Sequence, residues 1–375
     1  MTTDGLWHPA PRRIAVFRAL QLGDMLCAVP ALRALRRHCP GAHITLIGLE
    51  SARPFVQRFH RDIDELMLFP GIPAFPEQAA RPGDLPAFYR EAHARRFDLA
   101  LQMHGSGSLS LAIVRALGAR QHAGFVPDPA MAQPGRLFPW PDDLPEPLRY
   151  TALMRFLGVP VDDDALDLPL TAADAAEADR VARDYGFDPA ATVFVHPGAR
   201  LRSRRWPAER FGRVAAALAS QGWRIAVTGS AAERELTAGV AAAAGGAAID
   251  LADRTSLGGL AALLARAPLI VCNDTGVSHI AAAVGTRSVV VACGSDTRRW
   301  APLDRARHTV LADYPPCRPC AHESCPIGHP CALNVSVEQV LRAAQRQLGR
   351  RAAASPALDW PASHVTLPQG VADHV

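Results

Sequence analysis

Several short constellations in this chain carry residue types that could do chemistry. The most informative is Asn273-Asp274-Thr275-Gly276, which closes an apolar run (Ala267 to Cys272) and precedes a small-residue segment containing Ser278 and His279. A turn of this kind at a helix start gathers unpaired backbone N–H groups and the positive end of the helix dipole at one point. That arrangement suits a phosphate or diphosphate. Thr275 and Gly276 are the better candidates for contact; His279 is read as either a ligand group or a packed side chain. A second constellation is Val195-His196-Pro197-Gly198-Ala199, followed by Arg200, Arg202, Arg204 and Arg205 before Trp206-Pro207. Guanidinium groups bind phosphate oxygens in bidentate fashion, so this loop is read as a diphosphate clamp, against the plainer reading of a solvated basic loop.

Three weaker signals complete the set. Leu22-Gly23-Asp24 comes after the first apolar run. Gly23 permits a tight turn, and Asp24 is either a helix cap or a carboxylate facing a ligand as general base. From this residue alone the cap is the favoured reading. Val227-Thr228-Gly229-Ser230 leads to Glu233, which could hydrogen-bond ribose hydroxyls or simply sit in a first helical turn where the dipole favours it. Cys317, Cys320, Cys325 and Cys331 have the spacing C-x2-C-x4-C-x5-C. This matches no common zinc module, so packed, reduced thiols are the expectation and metal binding the alternative. Cys27, Cys39, Cys272 and Cys293 lie in apolar contexts and read as small core residues.

The elements that must position these residues alternate regularly. Arg13 to Arg18 reads as a strand, Met25 to Arg37 as an amphipathic helix and Ala42 to Gly48 as a second strand. Asp98 to Met103 is a further strand, with a helix running on to Leu117. The Pro-rich segments Pro70 to Pro86 and Phe125 to Pro147 read as long loops. Thr171 to Tyr185 begins with Thr171 as cap and Asp174 in the capping-box position. Next come a strand at Thr192 to His196, a helix at Glu209 to Gln221, a strand at Trp223 to Thr228, a helix from Ala231, and a strand at Ser288 to Cys293. Strand–helix alternation throughout predicts an α/β protein with two parallel-sheet domains and a cleft between them, 1–170 and 171–350, with 351–375 a disordered tail.

Composition narrows the function classes. A chain of 375 residues is long for one core, and 49% hydrophobic with 20% charged residues fits a globular protein. The net charge of +4 gives no argument for nucleic acid. Every basic residue is Arg and none is Lys, so a Schiff-base lysine and a GxxxxGK[ST] phosphate loop are excluded. No secretory signal and no uninterrupted apolar run of about 18 residues is visible. A cytoplasmic location is expected, with contact to a membrane surface left open.

In their order, RIAVFRALQLGDMLCAVPALRALRRHCPGAHITLI, HPGARLRSRRWPAERF, NDTGVSHIAAAVGT and the late Cys-rich segment before VEQVL resemble glycosyltransferase family 9, the ADP-heptose:lipopolysaccharide heptosyltransferases. The resemblance runs from Arg13 to about Leu348. It implies a GT-B fold of two Rossmann-like domains, with acceptor on the first and nucleotide sugar on the second. It also implies inverting transfer that requires no metal cofactor, with an ADP-sugar donor and a lipid-linked oligosaccharide acceptor at the inner face of the inner membrane. By the resemblance Asp24 is the general base, which reverses the cap-first reading. Arg204 contacts donor phosphate where the family usually has Lys. Asp274, Thr275, Gly276 and His279 match the donor turn, and Glu233 falls at a ribose contact.

Overall fold

The computed structural model describes residues 4–354 of the chain. Among these residues two six-stranded parallel sheets form the framework. The first holds β1 (Arg13–Phe17), β2 (His43–Gly48), β3 (Glu65–Leu68), β4 (Leu99–Gln102), β5 (Gln121–Val126) and β6 (Leu137–Pro139), in the order β3-β2-β1-β4-β5-β6. The second holds β7 (Thr192–His196), β8 (Arg224–Val227), β9 (Ala248–Asp250), β10 (Leu269–Asn273), β11 (Ser288–Val291) and β12 (His308–Leu311), in the order β12-β11-β10-β7-β8-β9. Counted within each half, both orders are 3-2-1-4-5-6. Each sheet therefore has a switch point, between β1 and β4 and between β7 and β10, where a crevice opens at the carboxyl ends of the strands.

The central strands are apolar because helices cover both faces. All five residues of β7 and of β10 are buried, as are four of the five in β1. Such strands read as continuous apolar runs, which is why they are visible in the sequence.

The helix expected over Met25 to Arg37 is two helices, Leu22–Cys27 and Val29–His38. Pro30 has no N–H to donate to the carbonyl four residues back, so it ends one helix and sits in the first turn of the next. The segment Phe125 to Pro147 is also more regular than expected. It supplies the edge strand β6, joined in parallel to β5, and then the start of the helix Glu146–Phe156. Prolines are compatible with an edge strand, where the missing N–H faces away from the ladder.

The connection between the halves is fastened by charge. Asp162 and Asp163 pair with Arg37 and Arg33 at 2.6 and 2.9 Å, and Asp164 pairs with Arg155 at 3.1 Å. Arg58 donates to both carboxylate oxygens of Asp174 (2.6 and 3.0 Å) and to the Pro169 carbonyl at 2.6 Å. Asp174 also completes the expected capping box with Thr171 at the head of helix Ala172–Asp184. The last helix, Val337–Ala354, reaches four residues into the segment read as a tail; residues 355–375 lie outside the described part.

Candidate active site

The loops at the two switch points meet. The helix that starts at Leu22 and the helix Gly276–Ala283 approach so closely that a Cβ on Gly23 would stand 3.1 Å from the Gly276 Cα and 3.4 Å from the His279 ring. Glycine at 23 is thus needed for backbone to pass backbone. Beside this contact lies a cavity of about 480 Å³ lined by Gly23, Asp24, Arg200, Arg204, Asp274, Thr275, Gly276, His279 and Trp300, with Gln21 and Glu77 at its edge. A cavity of this size accommodates a nucleotide-sized ligand. Glu77 belongs to the Pro-rich segment 70–86, held by a hydrogen bond from Gln21 Nε2 to the Glu77 carbonyl at 3.0 Å.

Asp24 is in the first turn of its helix, but the cap position belongs to Gln21. The carboxylate is therefore not a helix cap, and it faces the cavity. Burial pushes the Asp24 carboxyl above the usual carboxylate range; Glu146 adds to this, while Arg18, His279 and Arg299 oppose it. A carboxylate raised in this way is a better proton acceptor than an exposed one.

Across the cavity, Thr275 occupies the cap position of Gly276–Ala283 without a side-chain cap, so the N–H groups of Gly276 and Val277 stay available while that of Ser278 returns to the Thr275 carbonyl at 2.9 Å. Arg204 is held from behind by a hydrogen bond of 3.2 Å to the Cys320 carbonyl, and its buried Nε has no partner. The buried Oδ2 of Asp274 also has none. The neighbouring Asn273 is wholly structural. Its Oδ1 accepts from the Trp206 N–H at 2.9 Å and its Nδ2 donates to the Pro197 carbonyl at 2.7 Å. It thereby locks the loop after β7 to the end of β10 and fixes where Arg204 stands.

Two expected site residues, Glu233 and Gly198, are not among the residues that line this cavity. Glu233 is outside the cavity lining: its Oε2 accepts from the Ser230 N–H and hydroxyl, both at 2.9 Å, in a capping box. A Cβ on Gly198 would collide with the Glu233 carboxylate at 2.1 Å, so Gly198 serves the close approach of that side chain. The four late cysteines gather around a separate small cavity with Ser203, Gly294 and His329. All eight cysteines are free thiols, and among the described residues no group of three His, Cys, Asp or Glu side chains converges as around a metal ion.

Sequence reasoning missed a buried charged group directly behind Asp24. Arg18 is fully buried at the end of β1, its guanidinium 4.1 Å from the Tyr150 ring centre. It donates to the Met103 carbonyl at 2.6 Å and to the carbonyl of Asp24. Tyr150 donates to Glu146 Oε1 at 2.6 Å, and Glu146 Oε2 accepts from Arg299 Nε at 2.7 Å. An arginine closing the apolar run RIAVFR was the one signal available for Arg18. Nothing local marked Glu146 or Arg299.

Two Rossmann-type sheets brought together at their switch points are the architecture of the GT-B fold. Within that fold class, the chain belongs to glycosyltransferase family 9 (heptosyltransferase), whose model matches residues 86–330. Lipopolysaccharide heptosyltransferase 1 of Pseudomonas aeruginosa is 26% identical over 324 residues, covering 84% of this chain and 87% of that protein. Among solved structures, a family 9 glycosyltransferase from Veillonella parvula superposes with a TM-score of 0.73 at 21% identity, covering 90% of this chain and 98% of the other. The ADP-heptose lipopolysaccharide heptosyltransferase II of E. coli gives 0.68 at 20% identity, covering 91% and 99%.

Proposed function

We propose that this enzyme moves a heptose from ADP-heptose to a hydroxyl of the lipopolysaccharide inner core, with inversion and without need of a divalent metal. The observation that carries this reading is the shared cavity. A raised carboxylate lines one side of it, and the Arg200 and Arg204 side chains with an uncapped helix start line the other. The heptosyltransferases that the chain resembles supply the sugar and the acceptor class.

In this mechanism Asp24 takes the proton from the acceptor hydroxyl as that oxygen attacks the anomeric carbon. The ADP leaves from the opposite face, which inverts the centre. Charge develops on the departing diphosphate, and Arg204 with the N–H groups at Gly276 stabilises it where it forms. Asp274 and His279 complete the donor side. The acceptor is presented by the first half. Leu68, Leu109 and Met131 are exposed apolar side chains of the first half. Because an acceptor of this class is carried on lipid, we include peripheral contact with a membrane surface in the reading. Among the described residues no helix is long and apolar enough to cross one.

Calorimetric titration with ADP, ADP-heptose, UDP-sugars and GDP-sugars, in the presence of chelator, tests the donor. Selective binding of the ADP compounds is expected. Preference for UDP or GDP would overturn the heptose while keeping the transferase, and binding that needs a divalent ion would overturn metal independence.

A further inference from the structure

We propose that Glu146 is a positioning residue of the transfer site, which pins the segment carrying Arg299 and Trp300 against the cavity and joins it to the base side of the site. Glu146 opens the helix Glu146–Phe156, after the first sheet, whereas Arg299 and Trp300 lie in the short helix Thr297–Trp300, beyond β11 in the second. Their ion pair therefore exists only while the two halves hold this relation.

The geometry is unusually committed for a surface-loop contact. Glu146 is 1% exposed, and both of its oxygens are used: Oε1 by the Tyr150 hydroxyl, Oε2 by Arg299. Arg149 stands 3.7 Å from Oε2 as a second cation. The Arg299 guanidinium also lies 4.4 Å from the Trp300 ring centre and 6.0 Å from that of Trp140. Trp300 in turn lines the cavity, its ring 6.2 Å from that of His279. On the other side Tyr150 stacks under Arg18, which holds the Asp24 carbonyl. One carboxylate thus ties together the second half's cavity wall and the arginine beneath the base. Separation of the halves would remove the cation in direct hydrogen bond with Oε2 and leave only the more distant Arg149, so it is opposed at this point and the assembled site is favoured.

Glu77, Arg200, Arg204 and Asp274 line the cavity with Asp24, Cys27 lies on the same helix, and the groups that shift the Asp24 carboxyl besides burial are Arg18, Glu146, His279 and Arg299. Of these Glu146 is the anion that raises the base, which provides a readout that a merely structural role would not move. The test is Glu146→Gln, which can still accept from Tyr150, together with Arg299→Gln and the double variant. Transfer is assayed at several pH values, and hydrogen exchange at residues 297–300 is monitored with saturating ADP. The transfer readout rests on the activity proposed for this site; the exchange readout does not, so the two can fail separately. Expected for Glu146→Gln are a fall in kcat of at least tenfold with donor KM within threefold, an acid limb of kcat/KM moved to lower pH, and faster exchange at 297–300. Arg299→Gln should match it in kcat and exchange, and the double variant should lose no more than either single one. A kcat within twofold of the parent with an unmoved acid limb overturns the proposal, whatever happens to Tm, as do losses that multiply in the double variant. If Glu146→Gln does not fold, Arg299→Gln, at a half-buried position, decides by its kcat and exchange. If the parent enzyme transfers nothing, unchanged exchange in the variants still overturns it.

Discussion

The two halves share one strand order and differ in the loop that leaves their first strand. After β1 the chain needs only residues 18–21 to reach the next helix, and the turn delivers a carboxylate. After β7 it spends residues 197–207 and delivers arginines, anchored through Asn273 to the neighbouring strand end. The polar atoms are handled differently too. Arg18, beneath Asp24, is engaged at both terminal nitrogens by backbone carbonyls. Arg204, on the opposite wall, is engaged at one terminal nitrogen, by the Cys320 carbonyl, and the buried Nε of both arginines has no partner. The same scaffold thus yields one switch point that presents a carboxylate braced by a buried arginine and one that presents arginines beside an uncapped helix start. That division suits a reaction in which one wall handles a proton and the other an anion.

The largest expected effect breaks the first wall. Asp24→Asn should lower kcat by about 10²–10⁴-fold, the range for removal of a general base, while ADP affinity measured by calorimetry stays within threefold. Loss of donor binding in this variant would show that Asp24 serves the turn and not the proton. In the parent enzyme the acid limb of kcat/KM should lie above the pH of an exposed aspartate, because burial raises the Asp24 carboxyl and only the deprotonated form accepts a proton.

Breaking the second wall should give the converse pattern. Arg204→Ala removes a charge-assisted contact of about 1.5–3 kcal/mol, so the Kd for ADP should rise roughly tenfold to a hundredfold, with Tm close to the parent value. Unchanged affinity would remove Arg204 from the donor site. A smaller effect is expected where the walls touch. In Gly23→Ala the new methyl meets the Gly276 backbone at 3.1 Å, so the halves must give by a few tenths of an ångström. Transfer should fall by about threefold to tenfold, since displacements of this order misalign reacting groups. ADP binding, which depends on the second half, should barely change.

Much of this was legible in the chain because it is local. The strand over residues 192–196 falls where the buried run TVFVH placed it, and Thr171 with Asp174 forms the capping box its spacing implied. Gly23-Asp24 and Asp274-Thr275-Gly276 come to one cavity because each lies just past a strand at a switch point. The parts that were not legible are long-range or competitive. Glu146 and Arg299 meet across 153 residues, and no periodicity marks either one. Glu233 has two uses open to it, and in this structure its carboxylate caps Ser230. The Pro-rich stretch before Glu146 concealed β6, since proline signals a loop unless the strand is at an edge.

The smallest effect separates the site from the joint that carries it. Asp174 belongs to the second half, and Arg58, which grips it, to the first, far from the cavity. Arg58, together with the hydrogen bonds from Thr171, holds the Asp174 carboxyl down to about 2. A carboxyl depressed on folding adds stability above its unfolded pKa of about 3.9 and loses it as pH falls through the folded value. Asp174→Asn should therefore cost about 1–2 kcal/mol near neutral pH, seen as a lower urea midpoint. That cost should shrink between about pH 4 and pH 2, where the parent loses the same charge. Transfer by the folded variant should match the parent, because neither Arg58 nor Asp174 lines the cavity. A clear fall in kcat with stability unchanged would mean that this joint sets how the two walls face each other, and the boundary between scaffold and site would have to move outward to include it.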